Sequence, residues 1–227
     1  MTRSNAMRIL LAGSLLAASG ACSEQITLAP EPGPPASTTP QTSARVFEWA
    51  VNTSHPGQLE GIFAADFELL SAEVDSAGNA AGARLSRDEV IAGFRSMLEG
   101  VPGRYEPASA RLQLDRNLMA FPVSRPGADP RGLRTLRTWF VMQVNDVAAG
   151  QQFEVSGALR FHVVRGDFAD IPPGSAQGAD SLHWWIDGIE EETASIAAVT
   201  AGRTSAIPSK QLTLRQLLDL YRLRLGP

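Results

Sequence analysis

The segment Gln152-Phe153-Glu154-Val155-Ser156-Gly157-Ala158-Leu159-Arg160-Phe161-His162-Val163-Val164-Arg165 alternates apolar and polar side chains along most of its length. Most of its odd positions carry phenylalanine, valine or leucine, whereas most even positions carry polar residues such as glutamate, serine, arginine and histidine. Successive side chains of a strand point to opposite faces of a sheet. The pattern therefore predicts a long strand with one buried face and one solvated face.

Other strands and several helices are predicted around this segment. Strands are expected at residues 66–73, 111–114, 118–123, 133–146 and 182–191. Apolar periodicity predicts helices around residues 46–51, after His55-Pro56, and behind the Ser86–Glu89 capping box, where Gly100 ends the helix. A last helix is expected behind Thr213. The order indicates an α+β fold, with N-terminal helices on a strongly curved antiparallel sheet and a short C-terminal helix.

At several places the chain resembles the nuclear transport factor 2-like superfamily, which includes the SnoaL-type cyclases. The resemblance covers residues 43–193, and its motifs are Phe47-Glu48-Trp49-Ala50, Asp66-Phe67, Phe161-His162-Val163-Val164-Arg165-Gly166-Asp167 and Trp184-Trp185-Ile186. A lipoprotein branch of the superfamily looks similar at these positions. Many of its members have a tryptophan where this chain has Ile189.

This resemblance implies a cone-shaped domain with a pocket between its helices and the concave sheet face. In the superfamily's enzymes, Asp, His, Tyr or Arg side chains line that pocket as general acids and bases. The resemblance also implies a homodimer that forms through the sheet face.

Residues 1–22 have the features of a lipoprotein signal. Arg3 and Arg8 precede an apolar run that ends in small residues and the sole cysteine, Cys22. Initiation at Met1 or at Met7 fits this pattern equally well, and the run is too short to span a membrane. It resembles the bacterial lipobox, in which the cysteine carries a diacylglycerol thioether and an acylated amino group. A cleaved signal peptide with a chance cysteine is the alternative.

The predicted organisation has four parts: a signal peptide (1–21), the lipidated Cys22 with a Pro/Ser/Thr-rich tether (22–42), the main domain (43–193), and a polar linker with the last helix (194–227). Ser23 stands where an aspartate would indicate inner-membrane retention. The expected location is therefore the outer membrane, facing the periplasm or the cell surface.

Composition excludes several classes of site and partner. With Cys22 as the sole cysteine, a disulfide or a thiolate metal site within the domain is not expected. The net charge is -4 and the charges are mixed, so we expect no nucleic-acid partner. No cofactor motif is recognisable.

The candidate catalytic residues are His162, His183 and Asp187, which are expected on neighbouring strands near the end of the sheet. His162 has the opposite parity to Phe161, so we expect it on the solvent or dimer side. The run Glu190-Glu191-Glu192 favours a solvated strand end over a metal site.

Three tryptophans are candidate ligand-binding residues: Trp49, Trp184 and Trp185. Core packing is the alternative for each of them. Because Trp184 and Trp185 are adjacent, a regular strand sends one of them to each face of the sheet.

Three functional hypotheses follow. The first is a non-catalytic module that binds a small apolar ligand or a protein partner. The second is a small lyase, isomerase or hydrolase that uses the His and Asp candidates. The third is a structural envelope component without a pocket.

Overall fold

A computed structural model describes residues 33–74, 80–123, 132–173, 175, 182–192 and 210–225 of the chain. From Pro34 onward, the described residues belong to one compact unit. The predicted signal peptide, Cys22, most of the tether, residues 75–79 and most of the linker after Glu192 lie outside the described residues. The helices are α1 (Pro40–Asn52), α2 (Arg87–Leu98) and α3 (Leu214–Arg222), with 3-10 turns at Pro56–Gly61 and Leu223–Leu225. The strands are β1 (Phe63–Val74), β2 (Ala80–Ser86), β3 (Ser109–Leu114), β4 (Ala120–Pro122), β5 (Leu133–Asp146), β6 (Gln151–Arg165), β7 (Trp184–Glu192) and β8 (Lys210–Gln211).

Strands β5, β6 and β7 form an antiparallel meander at the centre of the sheet. β5 and β6 are paired without a register break from Leu133↔Val164 to Asp146↔Gln151. The odd positions of β6 predicted to be buried do face the core, as Phe153, Leu159 and Phe161 show. The alternation read from the sequence therefore predicts both the strand and its buried face.

The sheet is mixed rather than purely antiparallel, which corrects the prediction. Its order is β2-β1-β7-β6-β5-β3, with β4 also on β5 and β8 on β6. β7, the last strand of the meander, pairs with β1, and these two strands run parallel. The sheet is curved and does not close, and the α+β class is confirmed.

Helices α1 and α2 fill the concave side of this sheet. Phe47 of α1 contacts the ring of Phe94 in α2 (centroids 5.6 Å apart) and that of Phe161 in β6 (5.8 Å), both edge-on. Phe63 lies 6.2 Å from Phe47 and stacks on Phe67 at 4.0 Å. All five rings are at most 1% exposed, so aromatic packing occupies the centre of the cone.

Helix α1 also covers the outer edge of β3. The side-chain amide of Asn52 donates to the Leu112 carbonyl (2.9 Å), and its oxygen accepts from the Leu112 N–H (2.6 Å). Glu48 accepts from the Leu114 N–H at 2.9 Å. These two side chains take the place of a neighbouring strand. They occupy backbone groups that an unpaired edge strand would otherwise offer to another chain.

Ordered contacts begin ahead of α1. The Ser37 hydroxyl donates to the Trp184 carbonyl (2.7 Å), and the Trp184 N–H donates to the Ser37 carbonyl (2.9 Å). Ser43 donates to the same Trp184 carbonyl at 2.9 Å. The chain is therefore fixed to the start of β7 several residues before residue 43, where the sequence placed the start of the domain.

Helix α3 packs against α2 and closes the concave side near the ends of β5 and β7. Asp146, which is 1% exposed at the end of β5, accepts from the Tyr221 hydroxyl (3.1 Å), Arg224 (2.6 Å) and the Ala149 N–H (3.0 Å). Burial acts to raise the pKa of Asp146, but these three donors together hold it below its ordinary value. Burial and the Asp146 charge raise the pKa of Tyr221.

Gly100 follows the end of helix α2, and its replacement tests local packing. Gly100 has φ +73°, and a Cβ there would lie 2.5 Å from the Tyr105 carbonyl oxygen. Gly103 has φ +72°, but a Cβ there meets nothing within 4 Å. We expect Gly100→Ala to lower the free energy of unfolding by about 3 kcal/mol, since strain and overlap add, and Gly103→Ala by about 1 kcal/mol.

Urea unfolding of both glycine variants measures this difference. The Gly103 variant controls for the left-handed backbone conformation alone. Equal losses in the two variants would contradict the close approach of the 105–107 backbone to Gly100.

Candidate functional site

His162 lies on the outer face of the sheet, as its parity predicts. Its neighbours across the strands are Thr135 and Gly188, and its Nε2 atom is 3.1 Å from Oε1 of Glu190. The adjacent Phe161 points into the core. His162 is therefore placed away from the concave face on which a nuclear transport factor 2-like pocket would open.

His183 and Asp187 have different settings. His183 precedes β7, is 8% exposed, and its ring meets that of Trp185 edge-on with centroids 4.8 Å apart. Asp187 lies in the bulge between β6 and β7, where pairing passes from His162↔Gly188 to Val163↔Ile186. The two candidate histidines thus contact different groups, Glu190 in one case and Trp185 in the other.

The three candidate tryptophans have three different environments. Trp185 is fully buried in a small cluster with Ala64, Leu133 and Val164 on the outer side of the sheet. Trp184 packs at the edge of the main core, and Trp49 stacks on His55 with centroids 5.1 Å apart. The two adjacent tryptophans do face opposite sides of β7, but both pack against protein side chains.

A charged group that we call the outer ladder runs across β5, β6 and β7 beside His162. It consists of Arg137, Arg160, His162, Glu190 and Glu192. Arg160 donates to Glu190 (3.0 Å) and to Glu192 (2.5 Å), and Arg137 donates to Glu192 (2.5 Å). The charges of two arginines and two glutamates cancel, so the ladder is neutral when His162 is neutral. These side chains are 25–65% exposed, so each pair contributes at most about 1 kcal/mol to folding.

Exposed aromatic side chains flank the outer ladder. Trp139 of β5 is 42% exposed, and its neighbour across the strand, Ala158, is in turn paired with Glu192. Phe121 of β4 is 52% exposed and is paired with Thr135, the neighbour of His162. Aromatic residues and arginine are enriched in protein-binding surfaces, so Trp139, Phe121 and the arginines of the outer ladder make this face a candidate for one.

Backbone contacts hold Trp139 in this position. Its N–H donates to Oδ2 of Asp115 (2.8 Å), and its carbonyl accepts from the Asp115 N–H (3.2 Å). β5 pairs with β3 over one part of its length and with β4 over another. Asp115 follows β3 and β4 begins only at Ala120, so Trp139 lies between these two pairings. Asp115 therefore holds the Trp139 backbone on the side of β5 that faces away from β6, and β6 holds it on the other side.

An open cavity of about 440 Å³ lies at the N-terminal end of α2, against Pro172 and Pro173. Three of its lining residues are acidic: Asp66, Glu68 and Asp88. Its arginine, Arg87, donates to the backbone carbonyls of Phe63 and Glu60. The volume is in the range of ligand sites, but this lining does not match a small apolar ligand.

Glu191 was expected at a solvated strand end, and the structure corrects this. Glu190 and Glu192 point outward, whereas Glu191 between them is 6% exposed on the core side. It accepts from the Leu214 N–H of α3 (2.8 Å) and from the Ser71 hydroxyl (3.2 Å). The period of two would have revealed this alternation if it had been extended through the acidic run.

Comparison with known proteins finds no protein-family model and no curated protein that matches this sequence. Solved structures do align with it. One is a nuclear transport factor 2-like superfamily protein from Salmonella enterica (12% identity, TM-score 0.43, 71% of this chain and 92% of that chain). Another is a protein of unknown function from Mycobacterium tuberculosis (16%, 0.45, 82% and 93%). A third is ActVI-ORFA from Streptomyces coelicolor (12%, 0.38, 66% and 90%).

The solved structures that align with the chain include a nuclear transport factor 2-like superfamily protein, the superfamily that the sequence resembles. With identities of 12–16% and TM-scores of 0.38–0.45, these alignments transfer no site residue and no activity to this chain. The lipoprotein branch stays a prediction. Across the described part of the chain, no helix has the length and apolar character needed to cross a membrane.

Proposed function

We propose that this protein is a lipid-anchored envelope protein whose domain is a non-catalytic interaction module. The module associates with a second copy of the chain through the outer face of the sheet. The observation that carries this proposal is the exposed Trp139 beside the neutral outer ladder. The lipid anchor rests on the resemblance of residues 15–22 to a lipobox.

Filling of the concave face supports an interaction role over an apolar ligand site. Phe47, Phe94 and Phe161 meet there with at most 1% exposure. His162 lies on the opposite face, so the enzyme alternative loses one of its three candidate groups from the interior. We therefore favour the protein-interaction form of the first hypothesis.

Charge complementarity favours a second copy as the partner. The outer ladder carries arginines and glutamates on adjacent strands, and a two-fold axis can place Arg137 of one copy against glutamate of the other. Because like surfaces meet in such a dimer, a patch has to be self-complementary. A patch of mixed charge that is neutral overall satisfies this condition, and Trp139 adds apolar area beside it.

Self-association of the full chain in detergent tests this role. We expect a concentration-dependent monomer–dimer equilibrium by sedimentation in density-matched detergent. We expect Trp139→Arg to raise the dimer dissociation constant about 1,000-fold, because each of the two copies loses a buried aromatic anchor at a cost of about 2 kcal/mol.

Leu223→Ser is the matched control, since Leu223 is 75% exposed but lies outside the sheet. It is expected to leave the dimer dissociation constant unchanged. A wild-type chain that stays monomeric, or equal weakening by both substitutions, would contradict the proposed surface.

A further inference from the structure

The outer face of the sheet extends beyond the outer ladder on both sides. On the β4 side, Leu118 and Ala120 pack against the main core, so Met119 between them points outward and is 63% exposed. On the β1 side, Leu69 is buried in the core, so its neighbour Leu70 faces outward and is partly exposed. An apolar side chain therefore flanks the outer ladder on each side.

The strand register places these side chains in one row across the sheet. Arg137 of β5 is paired with Arg160 of β6, and Arg160 is paired with Glu190 of β7. Glu190 is paired in turn with Leu70 of β1. Extension of the β4–β5 pairing by one residue places Met119 opposite Arg137. Counted outward from Arg160, the two sides of the row have opposite charges at the first strand and apolar side chains at the second.

Charges on the rest of the outer face also separate about β6. The β5 side carries Arg137 and Arg111, and the β7 side carries Glu190, Glu192 and Glu68. Asp115 after β3 and Arg84 on β2 offset one charge on each side. Among these side chains the β5 side is net positive and the β7 side is net negative.

This separation distinguishes two ways in which a second copy can bind. When two identical faces meet, the two-fold axis lies between the sheets and runs across the strands or along them. An axis across the strands places β7 of one copy on β7 of the other, so that glutamates face glutamates. Like charges that meet across an interface oppose binding. An axis along β6 instead places β5 on β7, so that arginine faces glutamate.

We propose that the second copy binds with its two-fold axis along β6. This inference rests on the proposed dimer and assigns its two halves: β4 and β5 of each copy pack on β1 and β7 of the other. Arg137 then faces Glu190, because each lies one strand away from the axis. Met119 faces Leu70, because each lies two strands away. Both contacts occur twice in the dimer.

Two other features fit an axis along β6. The row that contains Trp139 crosses β6 at Ala158, whose small side chain leaves space at the axis for the tryptophans of both copies. Rotation about β6 also preserves the direction of the strands. The Trp184 ends of both copies, where Ser37 fixes the incoming chain, therefore lie at the same end of the dimer. Both proposed lipid anchors then face one membrane.

Thiol cross-linking of the full chain tests which strands meet. In a Cys22→Ala background, one chain carries Met119→Cys and the other carries Leu70→Cys. The two chains are mixed in detergent with a cross-linker that spans about 10 Å, the distance between packed sheets. Each variant alone reports an axis across the strands, which brings a residue close to its own counterpart. Leu223→Cys mixed with Leu70→Cys is the control for chance collisions, since Leu223 is 75% exposed but lies outside the sheet.

We expect about fivefold more cross-linked dimer from the Met119→Cys and Leu70→Cys mixture than from either variant alone or from the control mixture. An axis along β6 separates Met119 from its own counterpart by four strand spacings, roughly 20 Å. A higher yield from a single variant, or equal yields in all samples, overturns the proposed axis. Sedimentation separates the two proposals: dimers without the expected cross-link contradict the axis alone, whereas a monomeric wild-type chain contradicts the proposed function as well.

Charge reversal gives a readout that does not depend on cross-linking. With the axis along β6, Arg137→Glu places glutamate against Glu190 at both contacts, so we expect the dimer dissociation constant to rise about tenfold. An equimolar mixture of the Arg137→Glu and Glu190→Arg chains has opposite charges at both contacts. We expect this mixture to associate within about threefold of the wild-type dissociation constant.

Two outcomes of the charge reversal overturn the proposal. An Arg137→Glu chain that dimerises as well as wild type shows that this residue does not face Glu190, because an axis across the strands only exchanges one like-charge pair for another. A mixture as weak as the single variants shows that positions 137 and 190 of different copies do not meet. Leu223→Ser is the control again and is expected to leave both measurements unchanged.

Discussion

Replacing Arg224 with methionine is expected to lower the free energy of unfolding at pH 7 by about 3–5 kcal/mol. Asp146 is 1% exposed and Arg224 14% exposed, so the substitution leaves a buried carboxylate without its cationic partner. The Tyr221 hydroxyl and the Ala149 N–H remain, but they carry no net charge. Chemical denaturation of wild type and variant measures the loss.

Two further variants separate this effect from general loss of packing. Arg84→Met removes an exposed pair with Glu68 and is expected to cost at most about 1 kcal/mol. The double variant Asp146→Asn/Arg224→Met is expected to recover most of the stability, because neither charge is then buried alone. A double variant as unstable as Arg224→Met would show that packing of the Arg224 side chain, not charge, is the cause.

The pH dependence of stability gives a second check. The pKa of Asp146 is held below its ordinary value, so this group stabilises the native state above about pH 4. That contribution is lost as the pH falls through the lowered folded-state pKa. In Arg224→Met, the charge and the hydrogen bond of Arg224 no longer lower the pKa of Asp146, so this pKa is expected to rise and protonation to relieve part of the penalty. The stability difference between the two proteins is therefore expected to shrink on acidification from pH 7 to pH 3.

The strands that were predicted well from the sequence are those with one buried face and one more exposed face. β6 alternates apolar and polar residues along most of its length, burial alternates along β5 from Leu136 to Asp146, and the predicted bounds of β5, 133–146, match the structure. β2 was missed because Ala80-Ala81-Gly82-Ala83-Arg84-Leu85-Ser86 contains small residues with low strand propensity. Its pairing with β1, not its own side chains, makes it a strand. Strand pairing of this kind produces no apolar periodicity in the sequence.

The parallel pairing of β1 with β7 could not be predicted from local pattern either. The side-chain pattern of a strand is the same whether its neighbour runs parallel or antiparallel. In addition, β1 and β7 are separated by about a hundred residues of sequence. The position of α3 is a similar case. Its helix and its Thr213 cap were predictable, but the charged partners Glu191 and Asp146 lie far away in sequence.

For the candidate site residues, the sequence predicted the face of the sheet only where the alternation of side chains along the strand determined it. His162 lies on the outer face as its position opposite Phe161 requires. The outer ladder was missed because Arg137, Arg160 and Glu192 come from three strands, and only the register brings them together. Residue types alone singled out the histidines, although the exposed Trp139 is the better marker of the surface.

Replacing Cys22 with alanine is expected to abolish membrane anchoring of the full chain completely. If residues 15–22 are a lipobox, the cysteine carries all of the covalent lipid. Each buried CH₂ group contributes about 0.8 kcal/mol, and two or more acyl chains are needed for a stable anchor. Without the thiol none can be added. Incorporation of labelled palmitate and flotation with membranes in a Gram-negative host measure this directly.

Ser23→Asp is the matched control, because it leaves the thiol in place. By the lipoprotein resemblance, it is expected to keep the label but move the protein from the outer to the inner membrane fraction. Mass spectrometry of the N-terminal peptide then shows whether the mature chain begins at a triacylated Cys22. An unlabelled wild-type chain with a free thiol at residue 22 would support an ordinary cleaved signal peptide instead. The interaction module would then act without an anchor, and the two copies of the proposed dimer would have to meet in solution rather than on a shared membrane.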